Sequence, residues 1–574
     1  MLRFRYGPAL VRRAAFTLAD VFILLALAAL FYAGVRLAFH APGAIRGPEI
    51  SLSVAALPWY ALLSLGRMTA AYALSFLFSL AYGYAAARSP AGERVLIPLL
   101  DVLQSVPILS FLPVVLLGFS AVLPQKLAAE LAAVVLIFTS QAWNLTFCFY
   151  QALTTLPDEL REASAVFRLD PWLRLKKVEL PFAALALVWN SMMSWSGGWF
   201  FLMAAEIFHV GARDFRLPGL GSYLQVAAGA GDLGAIVSGL TALVAVIVLL
   251  DQLVWRPLLC WADKFKVETV QGDAPPRSWF YDLMARSALL ARLQGVMAGS
   301  RERVDRWFRA RYAGRSLAGL EPPARPGLSW RARLAAAVVA PCLLYGAWRA
   351  GVMLTSLAAA SWTAIGLGTL ATMLRVTLAL ALALVWTVPV GVVIGTKRRI
   401  AELLQPIVQV IASVPATAVF PLLVLVLIRA PGGLAVVSTL LMLLGTQWYL
   451  LFNVIAGAAA IPQDLRDTTA LLGLGRSDRW RVLVLPSLFP YLITGSITAG
   501  GGAWNASIVA EHVEFGGRTH ATLGVGALIA DATGRGDYPL LLGSTLALVG
   551  TVILINRQLW RRLYRHAQDR YRLE

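Results

Sequence analysis

The sequence repeats one plan twice, and the repeat is clearest in two short charged segments. Residues 156–181 begin Leu-Pro-Asp-Glu-Leu-Arg-Glu-Ala-Ser, and residues 461–486 begin Ile-Pro-Gln-Asp-Leu-Arg-Asp-Thr-Thr. The two segments pair without gaps at an interval of 305 positions, and each ends in a Leu-Pro pair. We call them the first and second island. Each lies between apolar segments long enough to cross a bilayer, so the chain must fold around a duplicated membrane unit.

The composition supports an integral membrane protein. Hydrophobic residues make up 59% of the chain and charged residues only 14%, whereas about a quarter of a soluble protein is charged. A net charge of +19 would suggest nucleic acid binding in a soluble chain, but cytoplasmic loops of membrane proteins also collect Lys and Arg. We therefore expect membrane lipid, and no nucleic acid, as a partner.

Twelve apolar segments are predicted to span the membrane, six in each half, which makes the fold class an all-α membrane protein. They lie at about 14–39, 67–87, 97–119, 127–153, 182–207, 233–255, 334–357, 370–394, 406–427, 435–456, 488–509 and 541–555. The first segment is too long for the apolar region of a signal peptide, so we expect a retained helix.

A change in composition predicts three parts of the chain. Residues 262–330 are rich in charge and proline and form a linker between a first half, 1–261, and a second half, 331–574. Apolar residues at helical spacing within the linker could contact the membrane surface or a partner, although a solvated linker is the simpler interpretation. The basic residues of the termini, islands and linker predict that all of them are cytoplasmic.

Matched residues outside the islands show that the duplication covers most of both halves. The interval is 308 positions in the second and third helices and 305 afterwards, as in Arg67 and Arg375, Ser105-Val-Pro107 and Ser413-Val-Pro415, Trp143 and Trp448, Trp199 and Trp504, Glu206 and Glu511, Gly219 and Gly524, and Gly221 and Gly526. Both halves have the same orientation, so the repeats are parallel and related by an axis along the membrane normal. That symmetry could enclose a central pathway.

At the islands the residues resemble a known family. Glu162-Ala163-Ser, followed nineteen residues after Glu162 by Pro181, is similar to the "EAA" loop of bacterial ABC importer permeases. The second island matches as Asp467-Thr468-Thr, Gly473 and Leu485-Pro486. The first island departs from the pattern because Arg168 replaces the turn glycine, although Leu169-Asp-Pro171 could supply the bend. The chain as a whole resembles two fused halves of a nitrate/sulfonate/taurine-type permease.

The resemblance implies a type I ABC importer (MetI-like) permease fold, alternating access and a small solute such as nitrate, sulfonate or bicarbonate. In that family each island forms a coupling helix that docks on one of two ATP-binding subunits, and a periplasmic solute-binding protein delivers the solute. The chain has no G-x-x-x-x-G-K-[ST] motif, so ATP and Mg²⁺ are expected on the partner and no cofactor in this chain. The coupling candidates are Glu162, Ala163, Arg168, Leu180, Pro181, Asp467, Thr468, Gly473, Leu485 and Pro486.

Candidates for the pathway are ionisable, helix-breaking and aromatic residues within the apolar segments. Arg67 and Arg375 are predicted to begin the second helix of each half, and could shape the mouth of an anion path with Glu206 and Glu511. Ion pairs that only tie helix ends together are an equal alternative. Helix breaks are tolerated beside a cavity, and the lining candidates are Ser105, Pro107, Trp143, Asn144, Trp199, Ser413, Pro415, Trp448, Trp504 and Asn505. For the tryptophans, packing or an interfacial belt is an alternative.

Two other functions compete with an importer. An ion-coupled secondary transporter of twelve helices needs carboxylates near the membrane midplane, for which Glu130 and Asp251 are the candidates. A membrane-embedded enzyme would need a nucleophile with a base, or a metal site. The five histidines and three cysteines show no such grouping, so no catalytic residue and no metal are expected.

Overall fold

A computed structural model describes most of the two halves and little of the segment between them. The described residues are 18–38, 47–88, 90–105, 107–210, 213–265, 278–287, 302, 305–306, 330–427, 431–515, 518–560, 562–563 and 566. Within these ranges the chain is almost entirely helical. Two short β-hairpins are the exceptions to the all-α expectation.

The first half and the linker together contain twelve described α-helices. They are α1 Leu18–Ala38, α2 Leu57–Arg88, α3 Pro90–Ser105, α4 Ile108–Ser120, α5 Gln125–Thr154, α6 Asp158–Val166, α7 Pro171–Arg174, α8 Leu180–Glu206, α9 Leu220–Ala230, α10 Leu233–Leu250, α11 Arg256–Ala262 and, in the linker, α12 Trp279–Ala285. After α8, strands β1 His209–Val210 and β2 Arg213–Asp214 form an antiparallel hairpin.

The second half repeats this order. Its described helices are α13 Trp330–Leu354, α14 Ala359–Thr396, α15 Arg398–Ser413, α16 Ala416–Leu427, α17 Gly433–Ala459, α18 Gln463–Leu471, α19 Arg476–Arg479, α20 Leu485–Ala510, α21 Val525–Arg535 and α22 Tyr538–Ile555. Strands β3 His512–Phe515 and β4 Arg518–Ala521 form the second hairpin, at the position equivalent to the first.

Seven described helices are long and apolar enough to cross a membrane, or eight if α15 and α16 form one span bent by 74°. Helices α1, α8 and α13 have 21, 27 and 25 residues and lie at three of the other predicted spans. The count of twelve spans therefore stays a prediction. The expected breaks in the third helix of each half are confirmed, because α3 ends at Ser105 and α15 ends at Ser413.

The second helix of each half begins earlier than hydropathy predicts. Helix α2 begins at Leu57 and α14 at Ala359, about three turns before the predicted starts at 67 and 370. Arg67 and Arg375 therefore lie within their helices and do not begin them. Ser64 and Arg67, which lower the local hydropathy, face protein and are buried. A window average cannot show this, because it does not distinguish the faces of a helix.

The two halves pack together through one shared core. Buried residues of α1, α4, α5 and α8 contact those of α16, α17, α20 and α22 in a single apolar cluster. The first helices of the halves also pair, since Gly346 of α13 lies against Ala29 of α1 and the Arg349 guanidinium Nε donates to the Tyr32 hydroxyl at 3.0 Å. Both islands lie at one end of this bundle, and both hairpins lie at the other.

The described linker residues contact the end of the bundle that carries the islands. The Asp305 carboxylate accepts hydrogen bonds from Trp172 Nε1 at 3.0 Å and from Lys176 Nζ at 2.5 Å, both in the first island. The basic N-terminal residues, which we expect to be cytoplasmic, lie outside the described residues.

Candidate functional site

The island helices α6 and α18 project from the bundle and leave the two acidic candidates exposed. Glu162 and Asp467 are each the fifth residue of their helix and are solvent-exposed. Neither residue lies at the helix N-terminus, because the acidic residues of the first turn are Asp158 and Glu159 in α6 and Asp464 in α18. Both side chains therefore lie on the surface of the bundle.

Each island helix ends in the same backbone motif, which needs a left-handed residue. Leu169 N donates to Ser164 O at 3.0 Å in the first island, and Leu474 N donates to Thr469 O at 3.2 Å in the second. This is a Schellman motif, whose turn residue has positive φ. Gly473 has φ 66° and Arg168 has φ 49°. Arg168 itself therefore makes the bend that we expected from Leu169-Asp-Pro171.

The tips of both island helices carry exposed apolar side chains that sequence reasoning missed. Val166 and Phe167 are 78% and 76% exposed, and their equivalents Leu471 and Leu472 are 88% and 69% exposed. Such apolar pairs at the end of an otherwise charged segment indicate a contact surface. The available signal was the repeat itself, which places two large apolar residues before the turn in both copies. Ala163 and Thr468 lie beside these tips.

Equivalent arginines hold each island helix to the fourth helix of its half. The Arg161 guanidinium donates to Thr154 O at 3.0 Å, and the Arg466 guanidinium donates to Ala458 O at 2.6 Å. Both carbonyls belong to the last turn of a helix, where the main chain has unpaired acceptors and a partial negative charge. The islands are therefore fixed to the bundle at their base.

The second part of each island runs into the fifth helix without interruption. In the first half, α7 leads through a π-helical turn, Leu175–Glu179, directly into α8. In the second half, α19 leads through Trp480–Val484 into α20. The expectation that Pro181 and Pro486 end the segment is wrong, because both lie in the first turn after the π turn, which accommodates the missing N–H. Leu180 and Leu485 are the first residues of α8 and α20.

In the part of the chain that the structure describes, an ion-pair network supports the first of these junctions. Glu179 is 3% exposed, and its carboxylate pairs with Arg174 and with Arg88 at the end of α2, each at 2.9 Å. The equivalent residue is Val484, which packs in a small apolar cluster with Leu488. One island is therefore joined to the second helix of its half by charges and the other by apolar contacts.

At the opposite end, a buried carboxylate joins three elements of the first half. Glu206, the last residue of α8, is 0% exposed. It accepts hydrogen bonds from the Ser64 hydroxyl at 2.6 Å, the Arg67 guanidinium at 2.8 Å and Gly221 N in α9 at 2.7 Å. The Arg67 guanidinium also binds Glu130 through two bonds, of 2.6 and 2.7 Å.

The second half repeats this cluster. Glu511, also 0% exposed, accepts from the Thr372 hydroxyl at 2.7 Å, the Arg375 guanidinium at 2.7 Å and Gly526 N in α21 at 2.9 Å. Neither carboxylate is open to solvent, so the four charged candidates do not form an open mouth. The geometry supports the alternative, in which they tie the fifth helix to the second helix and to the helix after the hairpin.

A cavity of about 270 Å³ lies between the halves, close to the buried clusters. The third and fifth helices of both halves line it, as the parallel repeat predicts, together with α9 and α21. Leu109 and Thr417 lie opposite one another at equivalent positions, as do Met203 and Ile508. The cavity is therefore on the axis that relates the repeats.

Some of the pathway candidates lie at smaller cavities nearer the islands. Pro415, Trp448 and Asn505 line one of about 90 Å³ between α8 and the second half. Asn505 Oδ1 also accepts from Ile108 N, the first amide after Pro107, at 2.6 Å. Trp199 and Ser413 line a third cavity of about 20 Å³.

The remaining candidates lie in packed or exposed positions. Trp504 is 3% exposed in the shared core, and Trp143 packs its edge against Phe78 at 6.2 Å between ring centroids. The Asn144 amide donates to the Ser194 hydroxyl at 3.1 Å. Ser105 ends α3 beside the break.

The carboxylates that a secondary transporter would need are both paired. Glu130 binds Arg67, and Asp251 accepts from the Arg256 guanidinium at 2.8 Å and from the Gln252 amide at 3.0 Å. Within the described ranges, no group of three or more His, Cys, Asp or Glu side chains could hold a metal ion. Neither competing function gains support from this geometry.

Comparison with known proteins identifies the same duplication. Residues 78–254 and residues 387–566 each match the family described as "Binding-protein-dependent transport system inner membrane component". The two matches together cover more than half of the chain, and each falls within one of the predicted halves.

Individual relatives carry different names. The chain is 29% identical over 169 residues to the nitrate import permease protein NrtB of Synechocystis sp., a match that covers 29% of this chain and 58% of the relative. It is 30% identical over 165 residues to the bicarbonate transport system permease protein CmpB of Synechococcus elongatus, covering 29% and 56%. The taurine transport system permease protein TauC of Escherichia coli is 25% identical over 185 residues, covering 32% and 61%. The chain thus spans about three fifths of the length of these curated relatives.

Proposed function

The chain belongs to the binding-protein-dependent transport system inner membrane components, with the family domain present twice, and we propose that it is the permease subunit of an ATP-driven anion importer, with two fused halves. The family consists of multi-pass inner-membrane transport components and not of enzymes. On this proposal, one chain supplies both halves of the pathway. Separate ATP-binding subunits supply the energy, and ATP and Mg²⁺ bind to them.

The observation that carries the proposal is the continuous helix between island and cavity. Residues 171–206 form one helical segment from the first island to the cavity at the repeat axis, and residues 476–510 form the other. A movement of an island therefore tilts a cavity-lining helix directly. Alternating access requires such a link between the site of ATP hydrolysis and the path of the solute.

The islands are the proposed docking sites for two ATP-binding subunits. Each presents an exposed carboxylate, Glu162 or Asp467, and an exposed apolar tip of two residues. A partner would bury the apolar pair and pair a basic group with the carboxylate, and charge-assisted bonds of that kind contribute about 1.5–3 kcal/mol when sheltered from water. The islands differ in the length of the acidic side chain and at Arg168, so the two docking sites are unequal.

The orientation of the chain in the membrane follows from the proposal that the islands bind ATP-binding subunits. The islands, the linker and both termini are cytoplasmic, and the hairpins and buried carboxylate clusters face the periplasm, where a solute-binding protein delivers its ligand. Cysteine placed at Gly229, which is exposed and has open space around it, should react with an impermeant thiol reagent in intact cells. Cysteine at Val166 should react only after permeabilisation. Labelling in the reverse order would contradict the orientation.

The solute is proposed to be a small anion. Relatives of this chain are named for nitrate, bicarbonate and taurine, which all carry an oxyanion group. Transport of an anion is tested by uptake into vesicles that contain the chain, its ATP-binding subunits and a candidate solute-binding protein.

The coupling role is tested at the exposed island residues. Glu162→Ala and Asp467→Ala, made singly and together, should reduce uptake and ATPase assembly, with unequal losses in the two single variants. Phe167→Asp should reduce assembly further, because it places a charge in an apolar contact. Val122→Asp is the matched control, since Val122 is 69% exposed at the other end of the bundle. Full uptake and assembly in all the island variants would refute the docking surface.

A further inference from the structure

The linker contacts the first island through one carboxylate. Oδ1 of Asp305 accepts a hydrogen bond from Trp172 Nε1 at 3.0 Å, and Oδ2 accepts one from Lys176 Nζ at 2.5 Å. Because each carboxylate oxygen has its own donor, the two bonds fix the orientation of the Asp305 side chain. Trp172 and Lys176 are four residues apart in one helical segment, formed by α7 and the π turn that follows it, and residues at that spacing lie on one face. A single linker residue therefore binds one face of this segment.

The contact is partly sheltered from water. The side chains of Lys176 and Asp305 are 35% and 21% exposed, and Trp172 is also partly buried. A fully exposed ion pair contributes little to stability, because water and salt screen it. A sheltered carboxylate that accepts one charged and one neutral hydrogen bond has stronger and more directional interactions. We therefore expect the Asp305 contact to restrict the motion of α7.

A second contact holds α7 from a different side. The Arg174 guanidinium pairs with Glu179, and Glu179 pairs with Arg88 at the end of α2, each at 2.9 Å. Arg174 is two residues from both Trp172 and Lys176, and residues at that spacing do not face the same way on a helix. The segment is thus held between α2 and the linker.

The second island has different residues at the two positions that bind Asp305. At the repeat interval of 305 positions, Ser477 is equivalent to Trp172 and Arg481 to Lys176, and both of these residues are exposed. All of α19 is exposed, whereas every residue of α7 is partly buried. The two islands therefore have the same fold and unequal surroundings.

The Asp305 contact lies just beyond a non-helical turn of the first island. Residues 167–170 separate α6, which carries the exposed tip, from α7. From α7 the helical segment continues without a break into α8. Short turns between helices absorb backbone rotation when one of the helices moves. If α7 were free to rotate about this turn, a displacement of α6 would be lost there, whereas a held α7 passes the displacement to α8.

We propose that Asp305 is a positioning residue for coupling, which holds α7 against the linker so that a movement of the tip of the first island is passed to α8. The proposal rests on the proposed docking of ATP-binding subunits on the islands. Asp305 acts through Trp172 and Lys176 and does not itself have to contact the partner. The second island moves its helix without this contact, so the two ATP-binding subunits act on helices of unequal freedom.

Amide exchange of the full-length chain in phospholipid nanodiscs tests the contact without any partner protein. Asp305→Ala should speed exchange in residues 171–180 about fivefold, because it removes both hydrogen bonds, and should leave exchange in residues 476–485 unchanged. Asp305→Glu keeps a carboxylate and should restore most of the protection. Glu302→Ala is the matched control, because Glu302 is an exposed acidic residue of the same linker.

A charge swap tests the ion pair itself. Lys176→Asp alone should speed exchange in residues 171–180, because it places two carboxylates together. Lys176→Asp combined with Asp305→Lys should recover part of the protection, since the exchanged charges can pair again.

Coupling is measured in vesicles that contain the chain, its ATP-binding subunits and a candidate solute-binding protein. The probes are nitrate, bicarbonate and taurine, and the measured quantity is the number of solute molecules imported per ATP hydrolysed. Asp305→Ala should lower this ratio about two- to fivefold and leave the affinity for the ATP-binding subunits unchanged. Asp305→Glu should restore the ratio, and Glu302→Ala should change neither quantity. A residue that only stabilised the fold would not lower the ratio at unchanged affinity.

Either of two results would overturn the proposal: unchanged exchange in residues 171–180 of Asp305→Ala, or faster exchange with an unchanged ratio of import to hydrolysis. Failure of the proposed function has a different signature, because the wild-type complex would then import none of the three probes. In that case the exchange rates of the variants still decide whether Asp305 holds the first island.

Discussion

Replacing Gly219 by Ala should disrupt the buried carboxylate cluster of the first half. A Cβ at this position would lie 2.2 Å from Glu206 Oε1 and 2.3 Å from its Cδ, so the carboxylate must move by about 1 Å or more. It cannot do so without lengthening its bonds to Ser64, Arg67 and Gly221, which are 2.6, 2.8 and 2.7 Å long. Breaking a buried ion pair costs about 3–5 kcal/mol, and we expect Gly219→Ala to destabilise the first half by about 3 kcal/mol.

The glycine near the other end of the same helix provides the control. A Cβ at Gly229 meets nothing within 4 Å, so Gly229→Ala should be neutral or stabilising by up to about 1 kcal/mol. Both variants are purified in the same detergent, and their thermal midpoints are compared by the loss of the monodisperse peak. Gly219→Ala should melt several degrees below both wild type and Gly229→Ala. Equal midpoints for the two variants would show that the Glu206 carboxylate can move without a loss of stability. That result would refute the conclusion that the cluster stabilises the first half.

Three further predictions concern the differences between the repeats. Arg168→Gly should stabilise the C-terminal turn of α6 by about 1 kcal/mol, because it removes a left-handed non-glycine residue. Slower amide exchange in α6 would confirm the prediction, and faster exchange would contradict it. Gly473→Arg should speed exchange in α18 by the same reasoning. Glu179→Gln should weaken the junction between α2 and the first island, which would be measured as faster amide exchange near Arg88. Glu159→Gln, at an exposed position, is the control. Identical exchange rates in the two variants would show that the ion pairs of Glu179 do not stabilise the junction.

The repeat register and the helix breaks could be predicted from the sequence because each depends on local signals. Matching intervals place Glu206 and Glu511 at equivalent positions, and a proline after Ser-Val ends a helix in both copies. The fifth helices were predicted within three residues of their observed ends. Such features do not require knowledge of what packs against the segment.

Features that depend on a partner elsewhere in the chain could not be predicted. The early start of α2 is stabilised by burial of Arg67 against Glu130 and Glu206, which are 63 and 139 residues away. The positive φ of Arg168 follows from the Schellman motif and not from a propensity of arginine. The π turns before Pro181 and Pro486 were missed because nothing in the sequence distinguishes an α turn from a π turn before a proline.

Because the two halves are fused in one chain, some features occur in both halves and others differ between them. The buried Glu206 and Glu511 clusters hold the scaffold of each half, so both halves need one. The islands and the lining of the cavity, in contrast, differ between the halves. In a homodimer, equivalent positions on the two sides of the axis must hold the same residue. A single chain can hold different residues at equivalent positions, such as Ile207 and His512, or Glu179 and Val484.

The two halves differ from each other at both ends of the bundle. At the island end, the first half is joined to its second helix by ion pairs and to the linker through Asp305, and the second half has apolar contacts at the same junction. At the other end, Thr417, His512 and Thr533 of the second half line the cavity at positions where the first half has apolar residues. The two repeats are therefore equivalent in fold and unequal in the side chains that line the cavity.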